Sequence, residues 1–246
     1  MARFYPRRSA LSAGPRVSEP IVLVHSPICG PYSWQLVADE LGRRGREVLV
    51  PPIDADEKSK EPFWKQHARG AADAIDTLPT SAFPILVGHS GAGLLLPPIR
   101  ELSGRPVAAY IFADAGLPDP LVPRKGAKDG SFARQLEAIY AAGDRYPNWT
   151  AAALGIADIE RSERVVREQR SQPLAYWEEC VPVFEGWPDA PCGYLHFSAG
   201  YEADASEARN RGWACVRIEG RHFLPVIDPL RVMDGLVQVL EQIGVS

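Results

Sequence analysis

The chain has 246 residues, of which 46% are hydrophobic and 24% charged, and its formal net charge is −4. This length suits one undivided α/β domain of about 250 residues, so we expect a single domain over 1–246. The slightly acidic balance gives no reason to expect a nucleic-acid partner. No apolar stretch reaches the roughly 20 residues that a membrane span needs.

The first residues and the cysteines indicate the compartment. Residues 1–19 are rich in Pro, Ser and Arg, and we expect a flexible lead-in there. They include basic residues, but no apolar segment follows them, which does not fit a signal peptide. The cysteines Cys29, Cys180, Cys192 and Cys215 are widely spaced and form no Cys-x-x-Cys pair. This spacing is typical of reduced thiols in a cytoplasmic protein and predicts no metal site.

Strand and helix patterns alternate along the first half of the chain. We predict strands at 20–25, 47–50, 83–88 and 107–113, with helices near 33–44, near 61–78 and from about 91. Pro97 and Pro98 should kink or end the last of these helices early. Unbroken apolar runs suit strands buried on both faces of a parallel sheet. The alternation therefore predicts a mostly parallel, doubly wound α/β fold.

The pattern changes between Gly116 and about Pro188, where no clean strand occurs and prolines are frequent. Helical patches are predicted there near 131–142 and 158–170. The alternation then resumes, with strands at 193–198 and 214–219 and helices near 203–211 and 228–243.

The hexapeptide Gly88-His89-Ser90-Gly91-Ala92-Gly93 lies between an apolar strand and an apolar helix start. This context is typical of a nucleophile elbow, in which a strained turn raises a serine hydroxyl above the sheet. The residues two before and two after that serine approach each other closely and must be small, as Gly88 and Ala92 are. Ser90 is therefore the candidate nucleophile, and the Gly91 amide is directed to where an oxyanion would form.

Three further segments extend this motif. The run 21–25 ends in a histidine and a small-residue loop, with Trp34 nine residues after His25. Acidic residues follow strand 193–198, and a strand runs into Gly220-Arg221-His222 near the end of the chain. The order serine, acid, histidine resembles that of the α/β-hydrolases.

The resemblance covers roughly residues 20–116 and 189–245. It implies the α/β-hydrolase fold, a catalytic triad and a helical cap at about 117–188, over the sheet edge where open α/β folds bind ligands.

His222 is the candidate base, and the resemblance leaves the acid open. Glu202 stands where the family usually has this residue and is preferred. Asp114, after the preceding strand, is the second candidate because some members take the acid from there. Asp204 is the third, but it could instead cap the next helix. The remaining histidines, at positions 25, 67, 89 and 196, are expected to have structural roles.

The oxyanion loop departs from the family. The second residue after His25 usually donates its amide, but here it is Pro27, which has no N–H. Either Ile28 supplies the second donor of the oxyanion hole, or the hole depends on Gly91 alone. Pro27, Tyr176 and Trp177 are candidates for substrate binding; Trp149, Tyr176, Trp177 and Trp187 either line an apolar pocket or form the core of the cap.

The leading functional interpretation is a serine esterase or thioesterase that acts on a small, apolar or aromatic organic substrate and needs no cofactor. The alternatives are a non-hydrolytic lyase, isomerase or cyclase that uses Ser90 and His222 as an acid–base pair, which Pro27 favours, and a silent ligand-binding protein. The oligomeric state is left open.

Overall fold

The computed structural model describes residues 19–124 and 130–245. The expected lead-in therefore lies almost entirely outside the described residues. The strands are β1 Ile21–Val24, β2 Val48–Leu49, β3 Ile85–Ser90, β4 Ala109–Ala115, β5 Cys192–His196 and β6 Ala214–Arg217. They form one parallel sheet in the order β2-β1-β3-β4-β5-β6. The predicted doubly wound α/β class is confirmed.

The helices are α1 Tyr32–Arg43, α2 Phe63–Asp76, α3 Leu96–Ser103, α4 Ser131–Ala141, α5 Ile159–Arg167, α6 Leu174–Glu178, α7 Glu202–Asn210, α8 Leu224–Ile227 and α9 Pro229–Ile243. Short 3₁₀ turns occupy Gly91–Leu95, Ala151–Leu154 and Ala199–Tyr201.

Alternate residues of each central strand pack against different helices. Ile21 and Leu23 of β1 contact the cluster that includes Trp34 of α1 and Leu236 of α9. Val22, on the opposite face, belongs to the cluster formed by α2, α3 and α7. The sheet is thus covered on both sides, which explains why its strands are uninterrupted apolar runs.

The two prolines of α3 do not end that helix, contrary to the prediction. Pro97 and Pro98 lie in its first turn, where a missing N–H costs nothing because the first amides have no intrahelical acceptor. A 3₁₀ turn precedes them, and the helix continues to Ser103 before Gly104 ends it at φ 63°.

The segment between β4 and β5 is called here the insertion (117–188), and residues of its described parts pack on the loops at the carboxyl ends of the strands. Tyr176, Trp177 and Leu136 from the insertion share a cluster with Ile28 of the loop after β1 and Phe223 of the loop after β6. No helix among the described residues is long and apolar enough to cross a membrane.

Candidate active site

Ser90 ends β3 in a strained conformation, with φ 58° and ψ −127°. A residue other than glycine rarely adopts such backbone angles unless the surrounding structure imposes them. The turn closes tightly: a Cβ on Gly88 would lie 3.0 Å from backbone atoms of Ala92 and Gly93. On Gly93 it would lie 2.3 Å from the carbonyl oxygen of Gly116. These contacts explain the small residues of the hexapeptide.

The Ser90 hydroxyl contacts a residue that the sequence did not suggest. Its Oγ lies 3.2 Å from the phenolic oxygen of Tyr201, at hydrogen-bond distance. In the described part of the chain, Ser90 makes this hydrogen bond and makes none with His222. Burial raises the pKa of Tyr201 even though the bond to Ser90 lowers it, so its hydroxyl stays protonated.

His222 lies in the loop after β6 between two aromatic rings. Its ring stacks on Tyr201, with centroids 5.0 Å apart and planes 13° apart. On the other side it stacks on His89, with centroids 4.5 Å apart. The Nε2 of His89 also lies 3.0 Å from the backbone carbonyl oxygen of His222 and donates to it. Both the ring and the backbone of His222 are thereby held beside the elbow.

Asp114 is the carboxylate that contacts His222. Its Oδ2 lies 2.8 Å from Nδ1 of His222. The same oxygen accepts from the Ser198 hydroxyl at 2.6 Å, and Oδ1 accepts from the amides of Phe197 and Ser198 at 3.0 and 2.9 Å. Asp114 itself is strained at φ 44°. The end of β4 therefore aims this side chain at the loop after β5.

The environment of Asp114 favours its ionised form. Complete burial by itself would raise the pKa of the carboxyl group. The hydrogen bond and charge of His222, together with the bonds from Ser198, outweigh burial and hold the pKa below its ordinary value. A buried carboxylate next to Nδ1 selects the tautomer whose Nε2 is free to accept a proton.

The preference for Glu202 as the partner of His222 is wrong. Glu202 opens α7 with its side chain 49% exposed, and Arg209 and Arg217 pair with it at 2.6 and 2.8 Å. Asp204 is buried, but its Oδ1 accepts from the Leu117 amide at 3.3 Å. The carboxylate that the structure places against His222 is therefore that of Asp114, near the end of β4 and the second of the candidates.

The remaining histidines are buried. Burial and the nearby charge of His222 lower the pKa of His89 to about 3, and burial with the charges of Arg124 and His25 does the same for His67. His25 donates from Nδ1 to the Ser26 carbonyl oxygen at 2.9 Å. His196 binds the Ser198 carbonyl oxygen through Nε2 at 2.7 Å. His89, expected to have a packing role, thus contacts His222 directly.

The loop after β1 begins with a β-turn, closed by a hydrogen bond from the Cys29 amide to the Ser26 carbonyl oxygen at 2.9 Å. Pro27 occupies the second position, which favours proline. Within residues 19–124 and 130–245, the Ile28 amide makes no hydrogen bond. A Cβ on Gly91 would lie 3.4 Å from the Ser26 hydroxyl. The loop therefore lies against Gly91, with the Ile28 donor unused.

The aromatic residues of the insertion divide into two groups. Tyr176 and Trp177 are buried near the loop after β1, and the Trp177 indole N–H donates to the Tyr140 hydroxyl at 2.9 Å. Trp187 instead packs edge-on against Phe112, in the cluster that covers one sheet face. The alternative in which all four aromatic residues line one apolar pocket is therefore wrong.

Tyr176 extends toward the elbow. Its hydroxyl oxygen lies 3.9 Å from where a Cβ on Gly91 would be. Trp177 lies behind it, with ring centroids 4.8 Å apart. Of the two candidate substrate-binding aromatics, Tyr176 is the one whose polar end faces the site.

Sequence reasoning missed Tyr201, Ser198 and the direct contact of His89. The signal for the first two was their place in the loop after β5, directly before Glu202. Only carboxylates were considered there. No group of three or more His, Cys, Asp or Glu side chains in the described ranges is arranged to hold a metal ion.

No protein-family model matches the sequence, and no curated protein matches it significantly. Solved structures do match over nearly their whole length. An extracellular α/β-hydrolase from a Paenibacillus species is 17% identical, with a TM-score of 0.74 over 90% of this chain and 98% of that one.

A tomato methylketone synthase I variant is 16% identical, with a TM-score of 0.70 and coverage of 92% and 99%. A polyneuridine aldehyde esterase is 18% identical, with a TM-score of 0.69 and coverage of 90% and 99%. At these identities the likeness concerns the fold. Together with the parallel sheet and the strained serine turn after β3, it establishes that the chain has the α/β-hydrolase fold.

Proposed function

We propose that this protein is a serine-dependent hydrolase that cleaves an ester or thioester of a small organic acid. The observation that carries the proposal is the strained Ser90 beside a His222 that is hydrogen-bonded to the buried Asp114. The insertion serves as a cap over this site within one domain. The esterases and hydrolases among the similar structures support the same reaction class.

In this mechanism His222 Nε2 accepts the Ser90 proton while Oγ attacks the carbonyl carbon of the substrate. Asp114 stabilises the imidazolium that forms and stays ionised. The tetrahedral oxyanion accepts hydrogen bonds from the amides of Gly91 and Ile28. His222 then donates its proton to the leaving group, and water releases the acid from the acyl-enzyme by the same steps.

Tyr201 is proposed as an additional donor at the reacting centre. Its buried hydroxyl lies 3.2 Å from Ser90 Oγ, and its ring is parallel to that of His222. Hydrogen bonds in a site without substrate are often rearranged in the complex. Substrate entry moves the Tyr201 hydroxyl from Ser90 to a substrate oxygen and leaves Ser90 to His222.

A second candidate function is proton transfer on a carbonyl substrate without hydrolysis, by a lyase or isomerase. Two observations favour it: Pro27 has no amide to give to the oxyanion hole, and Ser90 bonds to Tyr201. The same fold carries both kinds of chemistry. Hydrolysis is preferred because the Ile28 amide is unused and the His222–Asp114 pair is complete.

Turnover of short-chain p-nitrophenyl esters and acyl thioesters tests the proposal. Ser90→Ala and His222→Ala should each lower kcat by several orders of magnitude. Ser206→Ala, which removes a hydroxyl that contacts Glu202 and Arg209 on α7, should change kcat by less than about twofold. Equal activity of Ser90→Ala and the parent protein on every ester would exclude a serine hydrolase.

Oxygen-18 water separates the two candidate functions. Hydrolysis places one labelled oxygen in the product acid, because water attacks the acyl-enzyme. A carbonyl substrate that is converted in a Ser90-dependent way without uptake of labelled oxygen would favour the lyase or isomerase.

A further inference from the structure

A buried arginine in the insertion has unused hydrogen-bonding capacity. The Arg124 side chain is only 2% exposed. Its Nε and Nη2 atoms are fully buried and have no hydrogen-bond partner among residues 19–124 and 130–245. Burying a guanidinium costs several kcal/mol unless it is paired and hydrogen-bonded. An arginine with two free buried donors is therefore a candidate binding group.

The carboxylate that pairs with Arg124 already has other hydrogen-bond donors. Glu179 Oε2 lies 3.8 Å from Arg124 Nη2, an ion-pair distance without a hydrogen bond. The two carboxylate oxygens of Glu179 accept from the amides of Phe63 and Trp64 at 2.6 and 2.9 Å, in the first turn of α2. Glu179 therefore caps α2 and leaves the hydrogen bonds of Arg124 unmade.

The two free nitrogens lie on one edge of the guanidinium. Nε–H and Nη2–H are parallel donors whose spacing matches the two oxygens of a carboxylate. The flat face is covered, because Arg124 Cζ lies 4.4 Å from the centre of the Tyr176 ring. The remaining donor, Nη1, reaches the Tyr176 hydroxyl oxygen at 3.5 Å. That oxygen accepts, so the Tyr176 hydroxyl can donate to a ligand.

Tyr176 connects this edge to the reacting centre. The hydroxyl that accepts from Arg124 is also the one that lies 3.9 Å from the Cβ position of Gly91. Gly91 directly follows Ser90. The Tyr176 side chain thus lies between the Arg124 guanidinium and Gly91, whose amide is the proposed oxyanion donor. A substrate whose reacting carbonyl is at Gly91 can therefore place a group a few bonds away at Arg124.

We propose that Arg124 and Tyr176 form a subsite for a carboxylate, and that the substrate is an ester or thioester carrying a free carboxylate at its other end, such as a half-ester of a short dicarboxylic acid. The inference rests on the proposed function for the reacting end only. A single cation next to Glu179 suits a monoanion better than a phosphate dianion.

Paired substrates test the charge preference. The mono-p-nitrophenyl esters of succinate, glutarate and adipate are compared with p-nitrophenyl butyrate, pentanoate and hexanoate. We expect at least one half-ester to have a kcat/KM at least about tenfold above its uncharged counterpart. Arg124→Leu should abolish this preference, so that the ratio falls at least about tenfold, mainly through KM, because the carboxylate loses its buried charged partner.

Glu179→Gln is the matched control, because it removes the other half of the Arg124–Glu179 pair. If Arg124 binds the substrate, this variant keeps or strengthens the preference for half-esters. If Arg124 only pairs with Glu179, both variants destabilise the fold similarly and neither alters the charge preference, which would overturn the proposal.

Calorimetry with pentanoate separates this proposal from the proposed function. Pentanoate should bind the parent protein and Ser90→Ala with similar Kd, and Arg124→Leu should weaken binding at least about tenfold. Binding of this kind in a protein that cleaves no ester would refute the hydrolase and support the subsite. Pentanoate binding that is equal in the parent protein and Arg124→Leu, or absent from both, would refute the subsite.

Discussion

Replacing Asp114 by Asn removes the charge behind His222 while keeping the shape of the side chain. Oδ1 accepts two backbone amides, from Phe197 and Ser198, so the Asn carbonyl oxygen must take that place. The new NH₂ group then faces Nδ1 of His222, at the position of an oxygen now 2.8 Å away. It can only donate, which forces the His222 proton onto Nε2 and blocks that atom as a base.

The expected loss follows from this wrong tautomer. A triad with an intact shape and the wrong tautomer loses about 10⁴ in kcat, which corresponds to about 5 kcal/mol of barrier. KM should change little, because Asp114 is fully buried and does not reach the substrate. The loss of charge-assisted bonds should cost about 1–3 kcal/mol of stability, so the variant should remain folded at 25 °C.

Steady-state hydrolysis of p-nitrophenyl butyrate with parallel urea unfolding measures both quantities. Glu202→Gln is the control, since Glu202 is half exposed and its closest ion pairs, with Arg209 and Arg217, are exposed pairs that contribute little. It should keep kcat within about twofold. A folded Asp114→Asn that keeps kcat within tenfold, or a Glu202→Gln that loses as much as Asp114→Asn, would refute the reasoning.

Three other variants have defined outcomes. Tyr201→Phe keeps the stacking on His222 but removes a donor, so kcat should fall about 10–100-fold at constant KM; faster turnover would show that the tyrosine restrains Ser90. If Ile28 provides the second oxyanion donor as proposed, Pro27→Gly should leave ester hydrolysis within about threefold or lower it; a gain above tenfold would mean that the hole has one donor. Burial lowers the pKa of His67 to about 3, whereas an unfolded histidine titrates near 6.5. The contribution of neutral His67 to the unfolding free energy is complete above about pH 6.5 and falls by about 1.4 kcal/mol per pH unit as the pH is lowered. His67→Gln should make the pH dependence of the urea-derived unfolding free energy shallower by that amount. An unchanged slope would contradict a neutral buried His67.

The sheet was largely predictable because its strands are buried on both faces. Residues 21–24 and 85–87 are completely buried, so the sequence contains uninterrupted apolar runs bounded by turn residues. The elbow was predictable for a local reason: Gly88, Ser90 and Gly93 obey a steric requirement within six residues.

The partner of His222 was not predictable from local sequence. Asp114 lies near the end of β4 and Glu202 begins α7 after β5, so choosing between them requires the direction in which each side chain points. The positive φ of Asp114 and the pairing of Glu202 with Arg217 decide it. Neither is encoded in short-range spacing.

Contacts within the insertion, and between the insertion and the core, could not be predicted from the sequence either. Arg124 and Tyr176 are 52 residues apart and meet only in the folded chain. The division of the aromatics, with Trp187 on a sheet face and Tyr176 near the elbow, likewise depends on tertiary packing. Hydrophobic pattern alone treats these residues alike.

Covalent labelling with a fluorophosphonate tests the central claim, that Ser90 is activated by His222 and Asp114. Intact-mass spectrometry with peptide mapping should find one adduct, on Ser90, in the parent protein. The adduct should be absent from Ser90→Ala and should form at least about 100-fold more slowly in Asp114→Asn. Labelling of Ser90→Ala to the same extent, or equal rates in the parent and Asp114→Asn proteins, would contradict the account.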